Sequence, residues 1–350
     1  MQLIFFLLEI KKYDTIFHTM TIKKTILTGV KPTGLPHIGN YFGAIKPALE
    51  LANNYNSYLF IADCHALTTF KNATELKDNC LNIAAAWLAL GVDPEKTVFY
   101  RQSDIGEIFE LNWILSCFSA KGLLNRAHAY KSLLDTNQKN NKDPDFNINA
   151  GIFNYPILMA ADILLFNADI VPVGADQKQH VEIARDVAES INSTCSTTFT
   201  LPEPLISKTT HIVPGIDGQK MSKNYNNTIP IFLPEKHLRK RCMQIVTDST
   251  PVEDSKDPAT CNVFKLMTYF KSESELDSLD KRYRAGGLGY GAVKQELFEA
   301  IFTYFKAARE QYDYYIANSS EVDLILEKGK QKAKRVAIKS LANIKASIGL

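Results

Sequence analysis

The stretch Thr28-Gly29-Val30-Lys31-Pro32-Thr33-Gly34-Leu35-Pro36-His37-Ile38-Gly39-Asn40 restricts the fold of this chain more than any other. Before it, the apolar run Thr25 to Val30 reads as a strand. After it, Ala44, Ile45, Ala48, Leu49 and Leu51 recur at helical spacing. The stretch is therefore a strand-turn-helix. Gly34 and Gly39 let the backbone come close to a ligand, and the free amides of the helix's first turn suit phosphate. His37 and Asn40 stand three apart at that mouth, and both can donate to phosphate oxygens. Taken alone, the same residues also make an ordinary turn with a helix cap.

A second string lies far downstream, Lys220-Met221-Ser222-Lys223-Asn224, behind the turn Gly215-Ile216-Asp217-Gly218-Gln219. Two lysines three residues apart in a glycine-flanked loop can clamp a polyphosphate and supply charge where it develops during displacement. A solvated basic loop would use the same residues. Taken together, in this order and separation, the two strings resemble the His-Ile-Gly-His and Lys-Met-Ser-Lys-Ser signatures of class I aminoacyl-tRNA synthetases.

The chain between and around them alternates. Tyr58 to Asp63 reads as a buried strand ending in a carboxylate, Thr74 to Leu90 as a helix, and Val98 to Tyr100 as a third strand with a polar end at Arg101 to Asp104. Glu107 to Leu134 is helical, Asp135 to Asn149 is a polar surface loop, and Gly151 to Phe166 is an apolar helix. Ile170 to Gly174 is a short strand, and Asp176 to Asn192 is an amphipathic helix. This alternation implies an α/β fold, a Rossmann-type doubly wound parallel sheet with ligands outside the carboxyl ends of its strands. Beyond Pro230 the strand pattern stops, and His237 to Gln244, Ala259 to Phe270, Val293 to Asn318 and Val322 to Ile348 look helical. The expected division is a catalytic domain at 20–228 and a C-terminal α-helical domain at 229–350, whose last helix can pack back on the first. Gly287-Leu288-Gly289-Tyr290-Gly291-Ala292 follows a charged run rather than a strand, so it reads as a turn opening a helix and not as a dinucleotide fingerprint.

The net charge of +2 confines any nucleic-acid contact to a local patch. One candidate is the last helix, where Lys328, Lys330, Lys332, Lys334, Arg335, Lys339 and Lys345 stand against Val336, Ile338, Leu341, Ile344 and Ile348. Six scattered cysteines without a Cys-x-x-Cys pair favour neither a zinc site nor a disulfide framework, and place the chain in the cytoplasm with reduced thiols. Leu3 to Leu8 is too short to span a bilayer and lacks a basic lead-in and a cleavage site, so no export signal or membrane association is read. Met20, five residues before the first strand, is the expected start, which makes residues 1–19 an extension or a start-site artefact.

On the apolar helix, Tyr155, Met159, Asp162 and Phe166 fall at i, i+4, i+7 and i+11, a face of two aromatics, a thioether and one carboxylate. Such a carboxylate either pairs with a surface cation or accepts a hydrogen bond from a flat, apolar ligand. An indole, with its single ring N–H, is such a ligand. Here the sequence Tyr155-Pro156-Ile157-Leu158-Met159-Ala160-Ala161-Asp162-Ile163-Leu164, followed by Val171-Pro172-Val173-Gly174-Ala175-Asp176-Gln177, is similar to the bacterial tryptophanyl-tRNA synthetases. The similarity runs from about Thr25 to the C-terminus.

That resemblance implies a homodimer that joins L-tryptophan and ATP into tryptophanyl-adenylate, with Mg2+ on the ATP phosphates, and passes the acyl group to tRNA(Trp). It places tryptophan against Asp162, Met159, Tyr155, Gln177, Val171 and Val173; His65, just after the strand ending in Asp63, reads as a residue of the tryptophan pocket wall or as a satisfied core histidine. The resemblance places ATP against Lys31, Pro32, Thr33, Gly39, Asn40, Gly174, Ala175, Asp176, Ile212 and the loop of Lys220, Met221, Ser222, Lys223 and Asn224. The catalytic groups it implies are His37, Asn40, Lys220 and Lys223, with no protein-held metal. For Asp176 a helix N-cap is the plainer role. Two residues depart from the family pattern: Asn224 stands where a serine ends the lysine loop, and Lys31 where bacterial relatives often have Gln. The Asp135 to Asn149 insertion also departs from it. The rival expectations are a tyrosyl enzyme of the same class and a catalytically dead, RNA-binding paralogue.

Overall fold

The computed structural model describes residues 23–195, 199–206 and 213–350. The proposed extension at 1–19, and Ile212, lie outside the described residues. Five parallel strands form one sheet in the order β3-β2-β1-β4-β5: β1 (Thr25–Val30), β2 (Asn56–Ile61), β3 (Thr97–Arg101), β4 (Ile170–Pro172) and β5 (Glu203–Leu205). The order reverses between β1 and β4, and at such a switch point the flanking loops diverge and leave a crevice at the carboxyl edge.

β2 shows why the strands read as continuous apolar runs. Its side chains alternate between faces, Tyr58 and Phe60 entering one core, Leu59 and Ile61 the other. Numbering helices of eight residues or more, the first core takes α1 (Ala73–Ala89), and the second takes α2 (Gly106–Phe118), α4 (Ala150–Leu165) and α5 (Lys178–Thr194). Helices on both faces make the sheet doubly wound. Beyond β5 the described residues form these helices of eight residues or more: α6 (Glu235–Met243), α7 (Glu273–Ala285), α8 (Tyr290–Tyr304), α9 (Lys306–Ala317) and α10 (Ser319–Ser347). The apolar side chains of α6 to α9 extend the first core through Leu238, Leu279, Val293, Leu297 and Tyr312.

Several expectations are corrected. The supposed loop from Asp135 begins as helix, because α3 (His128–Lys139) runs on to Lys139, while Asn137 anchors the turn behind it through the carbonyls of Pro144 and Phe146. The helical run from Glu107 is interrupted at Ser119–Ala120 and at Arg126–Ala127. β5 was hidden by Pro204, which a strand tolerates here because β5 pairs on one side only, at the sheet edge. α7 was missed despite its capping box of Ser272 and Glu275, and the helix from Val293 is two helices broken at Phe305.

The last helix buries only part of the face expected, Leu341 and Ile344, and adds small residues to it. Val336 and Ile338 are exposed, while Val322, Leu326, Gly329, Ala333, Ala337, Leu341 and Ile344 face inward. Its first half joins the first core and its second half the other, so α10 crosses the edge of β3. Gly329 marks the crossing: a Cβ there would overlap the Phe99 carbonyl oxygen. Lys345 pairs with Glu110 at 2.6 Å and Lys332 donates to the Pro94 carbonyl, so part of the basic face fastens the helix. Lys328, Lys334, Arg335 and Lys339 remain exposed.

Candidate active site

The turn after β1 is held by reciprocal bonds between the two residues singled out in it. The His37 N–H donates to Asn40 Oδ1 and the Asn40 N–H donates to His37 Nδ1, both at 3.2 Å. With Nδ1 accepting, the ring proton sits on Nε2. The capping box thus leaves the Nε2–H of His37 and the amide NH2 of Asn40 as donors at the helix mouth. Burial, with the Lys223 charge second, lowers the His37 pKa to about 4, so its ring is neutral.

The lysine loop rests on this turn. The Gly39 N–H points at Met221 Sδ at 3.3 Å, and a Cβ on Gly39 would lie 3.2 Å from Met221 Cβ and 3.0 Å from His37 Nδ1. Only glycine leaves that room. Lys223 Nζ donates to the carbonyls of Thr33 at 2.8 Å and Gly34 at 3.1 Å, and desolvation there lowers its pKa. Backbone bonds from Ile38 to Ile229 and from Ile231 to Pro36 tie the same turn to the chain beyond the loop.

Inside the loop, the organising residue is Asn227, which sequence reasoning missed. It is 1% exposed. Its amide donates to Asp217 Oδ1 and the Lys220 carbonyl, and its Oδ1 accepts from the Ser222 N–H at 2.7 Å. Arg241 of α6 holds the carbonyls of Asn226 and Thr228 on either side. Asn224 is exposed and its N–H is capped by Ser222 Oγ, so the serine-to-asparagine departure disturbs no buried contact. Lys220 is exposed and its side chain makes no hydrogen bond among the described residues.

The carboxylate on α4 is buried, not at the surface. Asp162 is 1% exposed and faces His65 Nε2 at 2.8 Å and Gln102 Nε2 at 2.9 Å. Burial raises its pKa, and the bonds from His65 and Gln102 offset part of that rise. Gln102 follows β3 and was not singled out. Met159, Val171 and Val173 pack in the apolar core beside it. The Tyr155 ring lies between the rings of His65, at 4.3 Å, and His180, at 5.3 Å, with Lys31 Nζ 5.8 Å from its centroid. Burial pushes the Tyr155 hydroxyl up to about 12, so it is a neutral donor and acceptor.

From there a polar chain leads to the loop after β4. His180 Nδ1 meets Gln177 Oε1 at 2.9 Å, and Gln177 Nε2 donates to Asp176 Oδ2 at 3.0 Å. Asp176 sits in the short turn Ala175–Gln177, and the N-cap of α5 is Gln177, so the plainer role as a helix N-cap does not apply to Asp176. The register Ile26↔Ile170 sets Lys31 and Pro32, after β1, on the same sheet edge as Gly174 and Ala175, after β4. Buried Pro32 and exposed Thr33 complete that edge. The structure thus brings two sets together: the turn of His37 with the lysine loop, and Asp162 with His65, Tyr155 and, through His180, Gln177 and Asp176.

A doubly wound parallel sheet, a strand-turn-helix of donors and a lysine loop folded onto it fit a nucleotide-using class I synthetase. The chain belongs to the class I tRNA synthetases of the W and Y group, whose family model matches residues 21–306. It is 47% identical over 325 residues to a tryptophan–tRNA ligase of Campylobacter jejuni, covering 93% of this chain and 99% of that one. The crystal structure of the C. jejuni tryptophanyl-tRNA synthetase complexed with ADP and tryptophan superposes with TM-score 0.88 at 48% identity, over 93% of this chain and all of that one. The Mycoplasma pneumoniae tryptophanyl-tRNA synthetase follows at TM-score 0.74 and 29% identity, over 94% of this chain and 98% of that one.

Proposed function

We infer that the activity is tryptophan–tRNA ligation: ATP-dependent activation of L-tryptophan to tryptophanyl-adenylate, then transfer to tRNA(Trp). The observation that carries it is the Asp162 carboxylate, 1% exposed on α4 and bonded to His65 and Gln102, for which one ring N–H is a fitting further partner. A phenol would bring both a donor and an acceptor to that point, which speaks against the tyrosyl alternative. The intact donors His37, Asn40, Lys220 and Lys223 speak against a catalytically dead paralogue.

In this reading the tryptophan carboxylate attacks the α-phosphorus of ATP and pyrophosphate leaves. The nucleophile is already an anion, so the protein supplies position and charge rather than a base. Tyr155 and Gln177 hold the α-amino group, Met159, Val171, Val173 and His65 line the ring slot, and Gly174 to Asp176 meet the ribose. His37 Nε2–H and Asn40 donate to the phosphates. Lys223 exchanges two neutral carbonyls for phosphate oxygens, a stronger, charge-assisted partner, and Lys220 adds the second charge. Mg2+ is proposed to arrive on the ATP phosphates. The helices beyond Pro230 are proposed to read the anticodon. No helix among the described residues is long and apolar enough to cross a membrane, and action in the cytoplasm remains our proposal. Exchange of labelled pyrophosphate into ATP that depends on tryptophan tests the activation step.

We also propose a homodimer, formed through α2. Trp113 is 71% exposed and Phe109 36%, one turn apart on the solvent face of that helix, more apolar surface than a helix usually leaves in water. Sedimentation of the wild type should give the dimer mass and Trp113→Glu the monomer; a monomeric wild type would refute the proposal.

A further inference from the structure

His65 and Gln102 close a hydrogen-bond cycle with the Asp162 carboxylate. The backbone N–H of His65 donates to Gln102 Oε1 at 3.2 Å, which fixes the end of the amide that is oxygen. Gln102 Nε2 is then 2.9 Å from both carboxylate oxygens, and His65 Nε2 is 2.8 Å from Oδ2. Gln102 is 0% exposed, Asp162 1% and His65 3%. A carboxylate offers about four acceptor positions. The two oxygens subtend too small an angle at Nε2 to take both amide hydrogens, so one hydrogen is shared between them; with His65 also on Oδ2, Oδ1 is the less committed oxygen.

We propose that Gln102 sets the amino-acid specificity of this site by holding Asp162 as a pure acceptor, with Oδ1 presented to a single ring N–H. The proposal rests on the tryptophan reading above and adds the residue that enforces it. Gln102 is a positioning residue: it acts through Asp162. Its amide hydrogens can be received only by lone pairs, so they favour the ionised carboxylate over the acid. Without them the carboxyl faces His65, Asp63, Cys64, Tyr100 and Tyr155 in a buried setting, where the neutral acid gains. A neutral acid is donor and acceptor at once, and no longer selects one N–H.

The test is pyrophosphate exchange by the full-length enzyme with L-tryptophan and with L-3-benzothienylalanine, which keeps the shape and replaces the N–H by sulfur. Wild type should prefer tryptophan about tenfold or more in kcat/KM, with a KM that is flat between about pH 6 and about pH 8. Gln102→Leu should raise the tryptophan KM about tenfold with little change in kcat, leave the sulfur analogue nearly unmoved, and make the tryptophan KM climb as pH falls. A Gln102→Leu enzyme with wild-type preference and a flat profile would overturn the proposal, as would an equal loss for both amino acids. If that variant does not fold, Gln102→Asn should show the same split in smaller measure, and an unchanged split there also overturns it. Asp162→Ala separates the two levels. If it leaves the tryptophan KM unchanged, the tryptophan reading itself fails. If it abolishes the preference while Gln102→Leu does not, only the role of Gln102 fails.

Discussion

His37 shows how a short string becomes a functional group. Its Nδ1 is committed to the Asn40 N–H, so the ring presents Nε2–H, and burial keeps it neutral. His180 is likewise depressed to about 4, by desolvation first and then by the neighbouring His65. Both bind their protons less readily when folded than the ordinary value of about 6.5. The unfolded chain therefore takes up protons first on acidification, and stability is lost as pH falls from about 6.5 towards about 4. Between pH 7 and pH 5 each of these histidines should remove about 2 kcal/mol. Asp162, raised by burial, works in the opposite sense and is common to any variant compared. Urea denaturation at the two pH values should show a loss smaller by about that amount in His180→Gln than in wild type; equal losses would refute the depressed histidine. At this scale His37, Asn40, Asp162 and His65 were legible because their neighbours in sequence announce a turn or a helix face. Gln102, His180 and Asn227 were not, because each acts through a partner that only the fold supplies. Gln102 sits 60 residues from Asp162, in the polar strand end that had been noticed only as a place where ligands gather.

Among the elements, α10 explains most about how the chain closes. An edge strand with free backbone groups invites further pairing, and β3 is covered by this helix as it crosses from one core to the other. Close approach demands small residues on the contact face, which is why Gly329, Ala333 and Ala337 are buried while Val336 and Ile338 are not. A reading by hydrophobicity finds Leu341 and Ile344 but overlooks the glycine and alanines and includes Val336 and Ile338. Helix propensity alone would make Gly329→Ala stabilising by about 1 kcal/mol. The overlap with the Phe99 carbonyl reverses the sign, because backbone cannot swing aside as a side chain can. A net destabilisation of about 1 to 3 kcal/mol is expected, read as a lower midpoint in urea; an unchanged or higher midpoint would show that the helix does not seat there. The same logic separates legible elements from hidden ones. β1 and β2 are buried on both faces and announce themselves as apolar runs, whereas β5 is three residues long, contains Pro204 and pairs on one side only.

At the scale of the molecule, the two motifs lie more than 180 residues apart in sequence and meet at Gly39 and Met221. The parallel sheet sets the turn after β1 beside the loop after β4, and Lys223, beyond β5, reaches back to the turn after β1. Alternating strands and helices made this architecture readable from sequence, and the order of the motifs made the family readable. The packing of helices α6 to α9 onto the first core was not readable, since it depends on side chains such as Tyr312, whose hydroxyl reaches Asn82 of α1. The central claim is that this assembled edge activates tryptophan. Its most direct measurement is ATP–pyrophosphate exchange with full-length protein and Mg2+, run separately with L-tryptophan and L-tyrosine at matched concentrations. The account predicts exchange with tryptophan and background with tyrosine. Exchange driven by tyrosine, or by neither amino acid in folded protein, would contradict it.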